Sequence, residues 1–221
     1  TRGCTRVVYN GFNAPYQQQP DNVVEQQLAG LSLPANKTLL LHVGSNAWYK
    51  NRLGVLQIFR AYRQSRPDMK VHLVLAGPEL DPRQTAFARQ HELTDSLQCT
   101  GPLDNPQLEA LYCKADALIF PSRCEGFGWP TVEAQSCGCP VVASNNGSLA
   151  EILEDSALTA PWDDIESHVH NLSQLLTDPR VRQNLATKGL QNANRFSAQK
   201  MAAAFCDIYC ELEGPRAATT A

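Results

Sequence analysis

No apolar run in these 221 residues approaches the ~18–20 that a membrane-crossing helix requires. Charge of one sign is also lacking: 19 Lys plus Arg against 22 Asp plus Glu leave a formal net charge of −3. A protein that coats nucleic acid or a membrane surface needs a basic field, so neither partner is expected. Charged residues make up only 19% and hydrophobic ones 43%, which excludes disorder and supplies a sizeable core. The length fits one to two folding units. The chain opens at Thr1 without an initiator Met or a secretion signal, so a preceding segment is expected.

Paired metal ligands are absent as well. Eight cysteines stand at 4, 99, 113, 124, 137, 139, 206 and 210, with no C-x-x-C pair and no histidine at ligand spacing. His168 and His170, two apart on an expected helix, point to different faces. Asp163 and Asp164 are adjacent rather than arranged as D-x-D, so no metal site and no cofactor are expected. Reduced, mostly buried thiols in a cytoplasmic protein are the expected state.

What is present is an alternation of short apolar runs and longer amphipathic ones. Thr38–Val43, Val71–Ala76, Ser96–Thr100, Ala115–Phe120, Pro140–Ser144 and Ala157–Ala160 are expected strands. Most are apolar without period-two alternation, as strands covered on both faces should be. Helices are expected at Leu53–Ser65, Arg83–His91, Gln107–Lys114, Pro130–Ser136 and Leu149–Glu154. The spacing predicts an α/β fold: a Rossmann-like parallel sheet with helices on both faces. Ligands of such sheets sit at the carboxyl ends of the strands. Before this core, Arg6–Tyr9 reads as a short strand ending in an Asn10-Gly11 turn, then a linker, then a helix near Val23–Leu28. After Pro161 the pattern is helical, with Ile165–Leu176, Arg180–Arg195 and Ser197–Leu212, and Gly214–Ala221 is expected to fray. The corresponding division is residues 1–23 as connection and linker, 24–196 as the Rossmann-like domain, and 197–221 as a final helix and tail.

The most informative stretch follows the fourth run. Phe120 ends a strand, and Gly126-Phe127-Gly128-Trp129-Pro130-Thr131 leads into a helix with Pro130 expected at its first position. Gly126 and Gly128 allow close backbone approach to a ligand, and free N–H groups at the helix start favour a phosphate. Glu125 and Glu133 bracket the loop with seven residues between them. Glu125 stands at the ligand's level, and Glu133, expected on the first helical turn, can reach back to vicinal hydroxyls. A carboxylate accepts two hydrogen bonds at once and suits such a pair. Glutamates at this spacing also occur as simple helix-dipole partners.

Glu125–Glu133 within EGFGWPTVEA, followed by Gly138-Cys139-Pro140-Val141-Val142, resembles the E-x7-E signature of retaining GT-B glycosyltransferases of family 4, or group 1. His42-Val43-Gly44-Ser45, Leu75-Ala76-Gly77, Gly101-Pro102-Leu103-Asp104, Leu111–Asp116 and Asn146–Glu151 resemble that family's further elements in order. The resemblance covers nearly the whole chain and implies the C-terminal, donor-binding half of a two-domain enzyme. The N-terminal GT-B domain, with the acceptor site, would then be missing, and the chain alone would transfer no sugar. It implies a UDP- or GDP-sugar as donor substrate, a glycan or lipid-linked acceptor, and a hexose transferred with retention and without a metal. It also implies a role in polysaccharide biosynthesis in the cytoplasm or at the inner face of the membrane, with any membrane contact made by the missing half. The final helix would cross back to that half.

The family places an Arg after Gly44 and a Lys some residues on, both at the diphosphate. Lys50 matches the Lys, whereas Ser45 stands where the Arg is expected. Arg52 can replace that charge, or Ser45 and Asn46 can offer neutral donors. A cation at a helix start is locally unfavourable, so a bound anion explains Lys50 better than solvation does. Glu125 and Lys50 would be catalytic, with Glu125 orienting the donor sugar and Glu133 holding the ribose. Leu103 stands where the family offers backbone groups to the nucleobase. Trp129 either walls the base or ribose or fills the core, and Phe127 and Thr131 line the same loop and helix start. His42 is expected as a satisfied core residue rather than a base. Two alternatives remain at this stage: a non-catalytic nucleotide-sugar-binding module, and an enzyme of the same architecture with other chemistry, such as an epimerase or glycogen-type synthase.

Overall fold

The computed structural model describes residues 5–12, 14 and 16–213. Six strands form one parallel sheet: β1 (Thr38–Val43), β2 (Val71–Ala76), β3 (Leu97–Cys99), β4 (Ala117–Phe120), β5 (Val141–Ser144) and β6 (Leu158–Ala160). Their order is β3-β2-β1-β4-β5-β6, so the direction of winding reverses between β1 and β4. A crevice opens at such a reversal, outside the carboxyl ends of the two strands.

The unalternating runs are explained by two cores. Leu39, Leu41, Leu118, Phe120, Val141 and Ala143 face one core, shared with α1 (Asp21–Leu28), α4 (Asn105–Lys114) and α5 (Trp129–Ser136). Their neighbours Leu40, Ala117, Ile119 and Val142 face the other, shared with α2 (Arg52–Ser65), α3 (Pro82–Gln90) and α7 (Ile165–Thr177). Each buried Leu, Ile or Phe contributes ~1.5–3 kcal/mol, so both faces of the sheet must be covered for the fold to be stable. Helices α3 and α4 begin in capping boxes, Asp81 with Gln84 and Asp104 with Gln107.

The helical end comprises α6 (Leu149–Leu153), α7, α8 (Pro179–Ala193) and α9 (Ala198–Glu213). Buried Asn192 on α8 donates to Gln135 Oε1 of α5 at 2.8 Å and to the Ile152 carbonyl at 2.9 Å, which fixes α8 against the domain. Among the described residues no helix is long and apolar enough to cross a membrane.

Several expectations need correction. Arg6–Tyr9 forms no strand, and Asn10-Gly11 makes no turn. Instead, Tyr9 packs edge-on against Phe196 at 5.5 Å, and the Phe12 N–H donates to the Phe196 carbonyl, so aromatic burial fixes this segment without a strand partner. The first residue of α5 is Trp129 and Pro130 is its second, because Gly128 adopts φ 95° and starts the helix one residue earlier. Glu133 therefore begins the second turn. The thiols are not mostly buried: Cys137 and Cys139 are, but Cys124, Cys206 and Cys210 are exposed, the last two because α9 packs through only part of its surface. His168 is buried and His170 exposed, on the two faces expected. Cys4 and the segment 214–221 lie outside the described residues.

Candidate functional site

The loop after β1 turns through a short 3-10 segment, Trp48–Lys50, before α2. The loop after β4 is tied to it, since the Arg123 N–H donates to the Tyr49 carbonyl at 2.8 Å. Their proximity brings Lys50 Nζ within 2.8 Å of Glu125 Oε1, with side-chain exposures of only 14% and 8%. The ammonium also lies 5.0 Å from the Phe120 ring centroid. This half-buried ion pair stands at the reversal of strand order. A Cβ on Gly44 would lie 3.1 Å from His42 Nε2 and 3.3 Å from Lys50 Cδ, so any larger residue here would press on both side chains.

Beyond Glu125, the Ser148 hydroxyl holds the loop through the Glu125 carbonyl at 2.9 Å. The N–H groups of Gly126, Phe127 and Gly128 find no acceptor among the described residues. Gly128 sits in the left-handed region, and a Cβ there would lie 2.4 Å from Leu149 Cδ2. The glycine loop and uncapped start of α5 thus present amide donors beside a cation, an arrangement suited to an anion.

Glu133 lies further along α5, where the Tyr112 hydroxyl of α4 donates to its Oε2 at 2.8 Å. Burial pushes its carboxyl above the usual range, against the opposing pull of Tyr112 and Lys50. It lines a cavity of about 260 Å³ with Phe12, Tyr16, Asn105 and Trp129. Trp129 is half-buried, lines this cavity and packs on Phe127 at 4.4 Å and Phe12 at 5.3 Å. Tyr16 crosses Tyr112 edge-on at 6.0 Å, and burial pushes its phenol up to about 12. Tyr112, Tyr16 and Phe12 were not legible as site residues, because only the packing of α4 and the N-terminal segment on α5 brings them to Glu133.

Other candidates are placed elsewhere. Arg52 is buried, and Nη1 donates to Asn46 Oδ1 at 2.6 Å and to the Pro78 carbonyl at 2.8 Å. Asn46 Nδ2 in turn donates to the Glu79 carbonyl at 2.9 Å. Both side chains brace the loops after β1 and β2, and Arg52 Nε has no partner among the described residues. Ser45 Oγ accepts from the Ala47 N–H at 3.3 Å, which leaves its hydroxyl proton free. Thr131 is buried and donates to the Gly128 carbonyl at 2.8 Å, so it shapes the loop. Leu103 is half-buried against the α4 core. Among the described residues no group of three or more His, Cys, Asp or Glu side chains could hold a metal ion.

His42 is only half satisfied. Its Nδ1 pairs with the Ile119 carbonyl at 3.0 Å, while Nε2 has no partner among the described residues. Burial holds its pKa down to about 3, so the folded chain keeps the ring neutral while the unfolded chain protonates it below ~6.5. Stability contributed by the neutral ring is therefore complete above pH 6.5 and is lost as pH falls towards about 3. His42→Asn should flatten the acid limb of a melting-temperature profile over that window. An unchanged limb would remove His42 as a cause of acid sensitivity.

The family model described as glycosyl transferases group 1 matches residues 23–192. The chain is 31% identical to the O-antigen chain mannosyltransferase B of Escherichia coli over 159 residues, which span 71% of this chain and 42% of that protein. Among solved structures, a sucrose-phosphate synthase from Thermosynechococcus elongatus superposes with a TM-score of 0.78 at 26% identity, covering 96% of this chain and 53% of that one. Anabaena HepE, solved in complex with UDP and glucose, gives a TM-score of 0.80, covering 95% of this chain and 57% of that one. At 19% identity the latter shows a shared fold alone. The chain spans under half the length of the mannosyltransferase it matches.

Proposed function

The chain belongs to the group 1 glycosyl transferases, and from that membership we propose that it is the donor-binding half of a retaining, family 4 type enzyme. The donor is a nucleoside diphosphate hexose, UDP- or GDP-linked, and the acceptor is a glycan or lipid-linked sugar in polysaccharide biosynthesis, held by an N-terminal domain. Residues 24–196 form the binding domain, 1–23 the connection, and 197–221 the crossing helix and tail; the family match over 23–192 supports that division.

The observation that carries this reading is the Lys50–Glu125 pair at 2.8 Å, set at the strand-order reversal beside the free amides of Gly126–Gly128. The departing diphosphate gains negative charge as the glycosidic bond breaks. Lys50 and the loop amides are preorganised for that charge in a site partly shielded from water. Glu125, one oxygen of which is engaged by Lys50, turns its remaining acceptor capacity to the sugar hydroxyls and orients the ring. Glu133 accepts from the ribose hydroxyls, with Tyr112 fixing its other oxygen and the aromatic cavity receiving the base side. These groups supply the charge balance without a metal.

Calorimetric titration of the chain with UDP and GDP in EDTA tests the proposal. One of the two should bind in equal stoichiometry. Binding only after Mg²⁺ or Mn²⁺ is added would remove the metal-free reading, and no binding under either condition would remove the donor site.

A further inference from the structure

A concavity of about 450 Å³ lies at the opposite end of the sheet from Lys50 and Glu125. It is formed by Lys37, just before β1, by Lys70 and Val71 at the start of β2, by Arg60 and Arg63 on α2, and by the turn from His91 to Ser96. That size suits a small ligand rather than a single water or ion.

Its charge is out of character for the chain. Overall, 19 Lys and Arg are outnumbered by 22 Asp and Glu. Here four Lys and Arg and one histidine line a single cavity with one carboxylate, Glu92. Among the described residues none of the four cations forms an ion pair. Asp68, nearest in sequence, is engaged by Arg66 at 2.9 and 3.1 Å. Gathering like charges in a concave, partly shielded site is unfavourable unless a counter-charge enters it.

Two features make this a built site rather than a solvated basic face. Arg63 Nη1 is fixed by the Ser96 hydroxyl at 2.9 Å and by the Glu92 carbonyl at 3.2 Å, and Glu92 adopts a left-handed φ of 53° at this turn. Its guanidinium is therefore held in place with donors to spare. Arg60 Nε is buried with no partner among the described residues. Planar guanidinium donors held beside mobile ammonium groups suit the oxygens of a phosphate.

We propose that this cavity is a second anion site, separate from the donor crevice, which takes a phosphoryl group borne by a small molecule or a lipid headgroup. Lys37 and Lys70 supply long-range attraction from exposed positions, while Arg63 and Arg60 fix the phosphoryl oxygens.

The test follows amide chemical shifts of the 221-residue chain during titration with inorganic pyrophosphate. It also follows cosedimentation with phosphatidylcholine vesicles, with and without phosphatidic acid. Lys37 and Lys70 are exposed, so the Lys37→Glu/Lys70→Glu double variant should fold normally. Saturable shifts at Arg63, Lys70, Glu92 and Ser96, weakened tenfold or more in the double variant, support the site with a soluble ligand. No such shifts, but sedimentation that needs phosphatidic acid and is lost in the double variant, supports it with a lipid headgroup. Neither response, a response kept by the double variant, or one reproduced by chloride at equal ionic strength overturns it. Shifts at Lys50 and Gly126–Gly128 are read separately, so failure of the donor site and failure here are distinguishable.

Discussion

Lys50→Ala should weaken binding of the nucleoside diphosphate at least tenfold while leaving the bare nucleoside almost unaffected. In the family resemblance the second cation is expected after Gly44, where this chain has Ser45, and the Nη1 of Arg52, the nearest replacement in sequence, is engaged by Asn46 and Pro78. On the proposed reading Lys50 then carries the larger share of the side-chain positive charge at the diphosphate. A charge-assisted contact in a site this shielded is worth a few kcal/mol, and ~1.4 kcal/mol already makes a factor of ten. The substitution also strands Glu125, whose side chain is 8% exposed and loses its ion-pair partner. Breaking such a pair lowers stability by itself. For that reason the nucleoside arm is needed, since a general disturbance would weaken both ligands. Lys50→Ala with Glu125→Gln removes the stranded charge, and the diphosphate defect should persist in it. Diphosphate affinity equal to the parent in both variants would end the phosphate role of Lys50.

The sheet was legible because its strands are nearly pure apolar runs, and consecutive residues such as Leu39 and Leu40 serve opposite cores. The two informative loops were legible for a similar reason: Gly44 and Gly128 mark backbone that passes close to a neighbouring side chain. Glu125 and Lys50 stand on those loops, so each could be singled out by itself. Their contact could not, because it depends on the tie between Arg123 and Tyr49 that brings the loops after β1 and β4 together. The burial of Arg52 beneath the loop after β2 was illegible too, because a position at the start of α2 says nothing about it. The partners of Glu133 were illegible for the same physical reason. Tyr112 lies 21 residues away on another helix, and Phe12 and Tyr16 reach the site only through aromatic packing of a segment with the wrong pattern for it.

Replacing the two glutamates should separate binding from turnover. Glu133→Ala should weaken UDP or GDP binding by roughly tenfold to a hundredfold, the ~1.5–3 kcal/mol expected for a charge-assisted hydrogen bond to ribose. Burial already disfavours its ionised form, so the carboxylate is held by Tyr112 and by the ligand it meets. Tyr112→Phe should therefore weaken binding in the same direction but less, by loosening Glu133 without removing it. Glu125→Ala should behave oppositely in the binding assay. Its carboxylate competes with the diphosphate for Lys50 at 2.8 Å, so removing it frees the ammonium and should leave nucleotide affinity unchanged or tighter. The loss should appear instead in turnover of the enzyme complete with its acceptor-binding half, where an unoriented sugar ring reacts slowly even when bound. Calorimetry on the chain and steady-state kinetics on the complete enzyme read the two effects independently. Equal weakening of nucleotide binding by Glu125→Ala and Glu133→Ala would show that both carboxylates hold the nucleotide, and the assignment of Glu125 to the sugar would fall.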